Sequence, residues 1–482
     1  MLVRLLICSA LALLSACGAG TASTGGVSGY GGGPGTAQAV GGYAMSKLVS
    51  DGQVAASLTD ISLSKPRGIA FGPAASAWVT NSGTQTSTVY NGIGQTQLAA
   101  VSIPAGPQGA ADPSGIVYNA SSDFVITAAG KSAAATFIFD GEGGMICGWA
   151  AGVDSQKAIL MYDDGNGAAV YKGLAIATDE RGTTRLYATD FRNNKVDVFA
   201  GTFAKTTTAG GFADTTLPAG YAPFGIRALT VRNQTLIYVS YAKQDAAAHD
   251  EVAGAGLGLV DVFDTQGTLK RHLIAAGGAL NAPWGIALAP AGFGPLSSEL
   301  LIGNAGDGRI NAYDPATGAF IATLSDSTGT PIAISGLWGI AFGNGGQSQP
   351  ATTLFFAAGP DNEAGLYGRI DPGATAPDVI APTVTLTAPA QGATVSGSVT
   401  LTATASDNVG VASVQYFAGT TSIGTATAAP YPVTWDTTTA AAGGVSLTAQ
   451  AKDAAGNIGT SAAVSVTAAT RTAAVWQGAA NN

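Results

Sequence analysis

Ala282-Pro283-Trp284-Gly285-Ile286-Ala287-Leu288 returns one unit later as Gly336-Leu337-Trp338-Gly339-Ile340-Ala341-Phe342. Outward from this pair, a glycine followed by Ile or Leu also stands at Gly68-Ile69, Gly115-Ile116, Gly173-Leu174 and Gly225-Ile226, giving six units at a period of roughly 50–60 residues. Each unit continues with short apolar segments split by turn residues. In the fifth, residues 299–304, 309–313 and 319–324 are predicted strands, separated by Gly306-Asp307-Gly308 and Asp314-Pro315-Ala316-Thr317-Gly318. Four short strands per unit at this period predict an all-β fold, a six-bladed β-propeller over residues 43–373. The sixth unit stops near Asp371 with three clear strands. Residues 43–50 are predicted to supply the missing one, closing the ring and protecting its sheet edges.

Composition agrees with strands. Of 482 residues only 11% are charged, 46% are hydrophobic, and there are 68 glycines, a balance that supplies a core and favours strands and turns over helices. The net charge of −9 excludes the basic footprint that nucleic-acid binding needs. The chain starts with Arg4 and an apolar run from Leu5 to Leu14, too short for a spanning helix and of the length of a signal peptide. The run ends in Leu14-Ser15-Ala16-Cys17, which resembles the lipobox of bacterial lipoproteins. That resemblance implies a signal peptide over residues 1–16, lipidation of Cys17 as the mature N-terminus, and, with Gly18 next rather than Asp, anchoring in the outer membrane. An ordinary secretory signal is the alternative. Residues 17–42 are rich in Gly, Ser and Thr and are expected to form a flexible tether. Cys8 would leave with the signal and Cys17 carry lipid, so Cys147 is expected to have no disulfide partner.

The unit pattern resembles NHL and senescence-marker-type six-bladed propellers. A closer resemblance is to a family of exported bacterial propeller proteins of unassigned function. It is carried by Tyr187-Ala-Thr-Asp-Phe-Arg-Asn193, Val196-Asp-Val-Phe199, Tyr221-Ala-Pro-Phe-Gly225, Tyr241-Ala-Lys-Gln-Asp245 and the two tryptophan motifs above. It implies a fold over roughly residues 42–371 and assigns no functional residue. After a linker at 374–381, alternating Thr, Val and Ala over residues 382–469, with Trp435 as a buried anchor, predict an immunoglobulin-like β-sandwich, followed by a polar tail at 470–482. This part resembles bacterial Ig-like modules through Ala405-Ser-Asp-Asn-Val-Gly-Val411 and Ala451-Lys-Asp-Ala-Ala-Gly-Asn457. Their acids are read as turn residues rather than calcium ligands.

Two places carry candidate chemistry. The residue before each repeat glycine is expected at one mouth of the central channel, giving Arg67, Ser114, Lys172, Phe224, Trp284 and Trp338. Lactonase-type propellers hold a divalent metal there with carboxylates and Asn. None of these six residues is Asp, Glu or Asn, so that metal site is not expected. Arg67 and Lys172 facing Phe224, Trp284 and Trp338 would suit a glycan or another anionic ligand, while the alternative is that the aromatics plug the channel. The second place is the loop from Tyr241 to Gly258. It concentrates Asp245, His249, Asp250 and Glu251, which suit a cation site or a general base, or else form a solvated loop. Asp163-Asp164 and Asp361/Glu363 are further acid pairs, read first as turns. With two histidines and no Gly-x-Ser-x-Gly, P-loop or Cys-x-x-Cys, catalysis has little inventory to draw on.

The expectation is a lipoprotein anchored in the cell envelope. It would act as a non-catalytic ligand-binding or scaffold protein for extracellular glycans, other anionic ligands or proteins, with the membrane as partner through the lipid and no nucleic acid. No cofactor is expected beyond a divalent cation such as calcium. Two alternatives stay open: an extracellular polymer hydrolase or lyase using the loop carboxylates, and a structural protein–protein interaction module.

Overall fold

The computed structural model describes residues 39–106, 109–164, 167–231, 234–359, 364–373, 381–407, 410–453 and 456–469. The signal segment, Cys17, most of the tether, Asp361, Glu363, most of the linker and the polar tail lie outside the described residues. The six repeat glycines all sit on inner strands: Pro66–Phe71, Pro113–Tyr118, Tyr171–Thr178, Tyr221–Val231, Pro283–Leu288 and Leu337–Phe342. Each inner strand starts an antiparallel run of four strands, blades 1 to 6 in chain order. The inner strands follow one another around an axis, and that of blade 6 packs against that of blade 1, so the ring closes.

The repeat glycine is demanded by this packing. A Cβ on Gly68 would lie 2.4 Å from the Ser114 carbonyl oxygen, on Gly225 2.1 Å from that of Trp284, and on Gly339 2.5 Å from that of Arg67. Only a residue without a side chain lets consecutive inner strands approach this closely. The following Ile or Leu then enters the interface with the preceding blade. One apolar cluster fills each interface, such as that of Trp78, Phe137, Phe139, Cys147 and Trp149 between blades 1 and 2. Cys147 is buried there and free among the described residues, and burial pushes its thiol pKa well up.

Blade 6 takes its outermost strand from the start of the described chain. Ala39–Ser50 pairs antiparallel with Leu366–Pro372, matching Met45 with Ile370 and Ser50 with Leu366, as the incomplete sixth unit predicts. The same strand also runs parallel to Phe320–Asp326 of blade 5, joining the two blades in one sheet.

Residues 381–469 form two further sheets. Thr383–Ala388, Ser398–Ser406 and Val433–Asp436 make one; the other is built around Val411–Ala418 and Gly443–Asp453. Trp435, 3% exposed, is buried between them with Leu401 and Tyr416, as expected of an immunoglobulin-like sandwich. Asp453 accepts the amides of Gly456 and Asn457 at 2.7 and 2.8 Å, as a turn residue does. Among the described residues no helix is long and apolar enough to cross a membrane.

Candidate functional site

The backbone bulges at the residue before each repeat glycine place Arg67, Lys172, Phe224, Trp284 and Trp338 around one end of the channel. Their roles differ from the expected binding face. Phe224 is fully buried and Trp338 is 7% exposed. Phe224 packs 5.3 Å from Phe191 and 5.5 Å from Trp338, and Trp284 stands edge-on 5.6 Å from Trp338. The Trp284 indole N–H donates to the Lys172 carbonyl oxygen at 2.9 Å. The three rings are therefore an apolar plug with its polar edge satisfied, and they offer no open stacking platform. Ser114 is buried too, its hydroxyl 2.7 Å from the Tyr171 carbonyl oxygen.

The two cations are not free either. Glu142, which sequence reading missed, reaches them from the turn that follows Phe137–Gly141 in blade 2. That turn is pinned flat. A Cβ on Gly141 or Gly143 would lie 2.1 or 2.2 Å from the carbonyl oxygens of Ala111 or Ala110, and the Glu142 amide donates to Asp112 O at 3.1 Å. Glu142 Oε1 accepts from both the Arg67 guanidinium and Lys172 Nζ, the latter at 2.5 Å. Burial pushes the Glu142 carboxyl up, but the charges of Arg67 and Lys172 outweigh it and hold it below the ordinary carboxylate value. Arg67 also lies over the Trp338 ring, 4.6 Å from its centroid, which couples the ion cluster to the plug.

The loop after Gln234–Lys243 folds back over this cluster. Its own hydrogen bonds set its path. Asp245 Oδ1 accepts the His249 amide at 2.8 Å and the Asp250 amide at 3.3 Å, and the Asp245 amide donates to Asp250 O at 2.8 Å. Asp245 is thus a turn former, which removes it from the expected four-residue cation set. His249 and Asp250 do approach the collar. Asp250 Oδ1 lies 3.1 Å from Lys172 Nζ and 3.0 Å from His249 Nδ1, and Glu142, His249 and Asp250 bring ligand atoms within 4.8 Å of one another. Lys172 Nζ already occupies the space between Glu142 and Asp250, doing electrostatically what a bound cation would do. Burial raises the Asp250 carboxyl, yet Lys172 and His249 bring it below its usual value. Glu251 goes the other way, since burial there exceeds the help from Lys172 and Arg67 and leaves its carboxyl raised.

Above these groups is a cavity of about 400 Å³, lined by Lys65, Arg67, Glu142, Lys172, His249, Asp250, Glu251 and Trp338. Two expected regions, collar and loop, are therefore one site. Of the other acid pair, Asp163 ends the outer strand of blade 2, while Asp164 accepts the Tyr162 hydroxyl at 2.6 Å and faces Lys205. Nothing in the sequence separates Glu142 from the many turn acids of this chain, because its role depends on cations two blades apart.

The bacterial Ig domain family model matches residues 382–449. The uncharacterized protein R648 of Acanthamoeba polyphaga mimivirus is 31% identical over 342 residues, 70% of this chain and 82% of its own length. The uncharacterized protein L690 of the same virus is 29% identical over 316 residues, covering 64% of this chain and 80% of L690. Among solved structures, streptogramin B lyase aligns with 68% of this chain and 98% of its own at 13% identity, with a TM-score of 0.40.

Proposed function

The chain belongs to the family of the mimivirus protein R648, and we propose that it is an exported, lipid-anchored, non-catalytic binding protein that presents its propeller mouth to a glycan. The observation that supports this reading is the cavity's charge pattern. Three acids, Glu142, Asp250 and Glu251, and three bases, Lys65, Arg67 and Lys172, share the lining, so hydrogen-bond acceptors and donors stand side by side. Such a surface favours a neutral, hydroxyl-rich ligand that both donates and accepts hydrogen bonds, and disfavours a strongly anionic one. The fixed ion pairs preorganise the groups that would meet it. Export and anchoring rest on Leu14-Ser15-Ala16-Cys17. The test is a glycan array probed with the full chain, run beside Asp250→Ala. Asp250 is 65% exposed at its side chain, so its removal should leave folding intact. Retention of a neutral glycan, weakened at least about tenfold in the variant, is expected. Absence of any retained glycan would sink the reading.

One observation favours hydrolysis or lyase chemistry as a second reading. Burial raises the Glu251 carboxyl while the neighbouring cations hold Asp250 and Glu142 below their ordinary values, so acids shifted in opposite directions line one cavity, as general acid and base catalysis uses. It predicts breakdown of the retained glycan, abolished by Glu251→Gln.

A further inference from the structure

Among the described residues, three groups of acid and histidine side chains come close enough to hold a metal ion, and two of them already contain a lysine. Lys172 stands between Glu142 and Asp250 at the mouth. Lys195 and Lys205 stand among Asp164, Asp190 and Asp197 in blade 3. The third group, Asp214, Asp261 and His272 of blade 4, differs. Among the described residues no lysine or arginine pairs with either of its carboxylates. Asp261 lies on the third strand of that blade, Leu259–Asp264, directly across from His272 on the outermost strand, Leu269–Ile274. Asp214 comes from the loop between Lys205–Thr206 and the inner strand Tyr221–Val231. Asp261 is fully buried and its Oδ2 has no hydrogen-bond partner, which is costly for a carboxylate unless something else meets it. Hydrogen bonds decide what His272 turns toward the acids. The Thr216 hydroxyl donates to Asp214 Oδ1 at 2.7 Å, so its oxygen is left to accept the Nε2 proton of His272, 3.3 Å away. The neutral imidazole then points its Nδ1 lone pair at Asp261 Oδ1, 3.0 Å away, and Asp214 Oδ2, 3.8 Å away. An imidazolium in its place would set one positive charge against two negative ones. Burial, with Asp214 adding to it, lifts the Asp261 carboxyl to about 6 even beside His272.

We infer that Asp214, Asp261 and His272 form a binding site for a zinc-like divalent cation. One imidazole and two carboxylates suit such an ion, whereas calcium and magnesium take oxygen ligands. Two ligand atoms on a tetrahedral zinc, each about 2.0–2.2 Å from it, stand roughly 3.3–3.6 Å apart. That spacing falls between the 3.0 and 3.8 Å that separate Nδ1 from the two carboxylate oxygens. The His272 side chain is 51% exposed, which gives the ion a way in and leaves a coordination position open to solvent. The site shares no residue with the mouth cavity. Its three ligands meet only in the folded blade, so the ion stabilises the fold it binds.

The test is a calorimetric titration of zinc into the chelator-treated full chain, for the natural sequence, His272→Ala, Asp214→Asn and His249→Ala. His272 is half-exposed, and Asp214→Asn keeps the side-chain shape and an oxygen for Thr216, so both variants should fold. The natural chain should bind zinc with micromolar or tighter affinity. His272→Ala and Asp214→Asn should bind at least about tenfold more weakly, while His249→Ala, altered at the mouth, should bind as the natural chain does. Zinc should raise the melting temperature of the natural chain and leave that of His272→Ala unchanged. Crystals of the natural chain grown with zinc should show an anomalous peak about 2.0–2.2 Å from His272 Nδ1. No zinc binding by the natural chain, unweakened binding in His272→Ala, a loss confined to His249→Ala, or crystals with no peak at His272 would overturn the assignment.

Discussion

Blades 1 to 4 and blades 5 and 6 hold their neighbours by different means. On the second strand of blade 1, Thr80 accepts the Gly68 amide at 2.8 Å and donates to Ser114 O of blade 2 at 2.8 Å. Ser240 does the same in blade 4, between the Gly225 amide at 3.0 Å and Pro283 O at 2.6 Å, and Thr189 of blade 3 donates to Phe224 O at 2.8 Å. Blade 2 puts Asp140 in this place, where it accepts the Gly115 amide at 2.5 Å and sits 3.0 Å from the Ser114 hydroxyl. In blades 5 and 6 the equivalent residues are Gly303 and Ala357, which have no polar side chain to give. Those are the blades that the Ala39–Ser50 strand joins into one sheet. A propeller can therefore close either by buried hydroxyl ties between inner strands or by sheet continuity at its rim, and this chain uses both.

The largest effect is expected from removing residues 1–50. Blade 6 then loses its outer strand, and blades 5 and 6 have no polar tie to replace it. The chain should show no cooperative unfolding transition by circular dichroism; a transition at the natural midpoint would show that the strand is ornamental. Next comes Gly225→Ala, whose Cβ would meet Trp284 O at 2.1 Å, against Gly173→Ala, where the nearest atom is 3.0 Å away. Denaturant titration should give a loss of about 3 kcal/mol for the first and about 1 kcal/mol for the second.

A third test sharpens the odd member of the tied set. Burial lifts the Asp140 carboxyl from 3.8 to about 7 despite the Gly115 and Ser114 contacts. A group raised on folding favours the native state fully below its unfolded value, and that contribution fades as pH rises through the folded value. The melting temperature of the natural chain should therefore fall between pH 5 and 8 relative to Asp140→Asn, which still accepts the Gly115 amide and cannot ionise. Parallel profiles would contradict the buried-acid description. Smaller again is Ser240→Ala, which leaves the buried Gly225 amide without its acceptor and should cost about 1–2 kcal/mol in denaturant titration.

Much of this architecture is legible in the sequence because its cause is local. Gly68, Gly225, Gly285 and Gly339 are each forced by a carbonyl of the next inner strand, and the missing strand of the sixth unit leaves a countable gap that residues 43–50 fill. The site is less legible because it is assembled from distant parts. A tryptophan before a glycine reads the same whether it faces solvent or, like Trp338, packs on Phe224 and Arg67. Glu142 looks like any turn acid until Arg67 and Lys172 arrive from blades 1 and 3. Asp245 and Asp250 are near neighbours in sequence, yet one caps a turn and the other pairs with Lys172.

The most direct test of mouth against plug is a titration of the glycan retained on the array into the natural chain, Asp250→Ala and Phe224→Ala, with the melting temperature of each measured alongside. Asp250→Ala should lose affinity with its melting temperature unchanged. Phe224→Ala, which empties a fully buried site, should melt several degrees lower while keeping its affinity below the transition. The reverse pattern, with affinity lost in Phe224→Ala and kept in Asp250→Ala, would place the ligand on the aromatics and contradict the assignment of the mouth cavity.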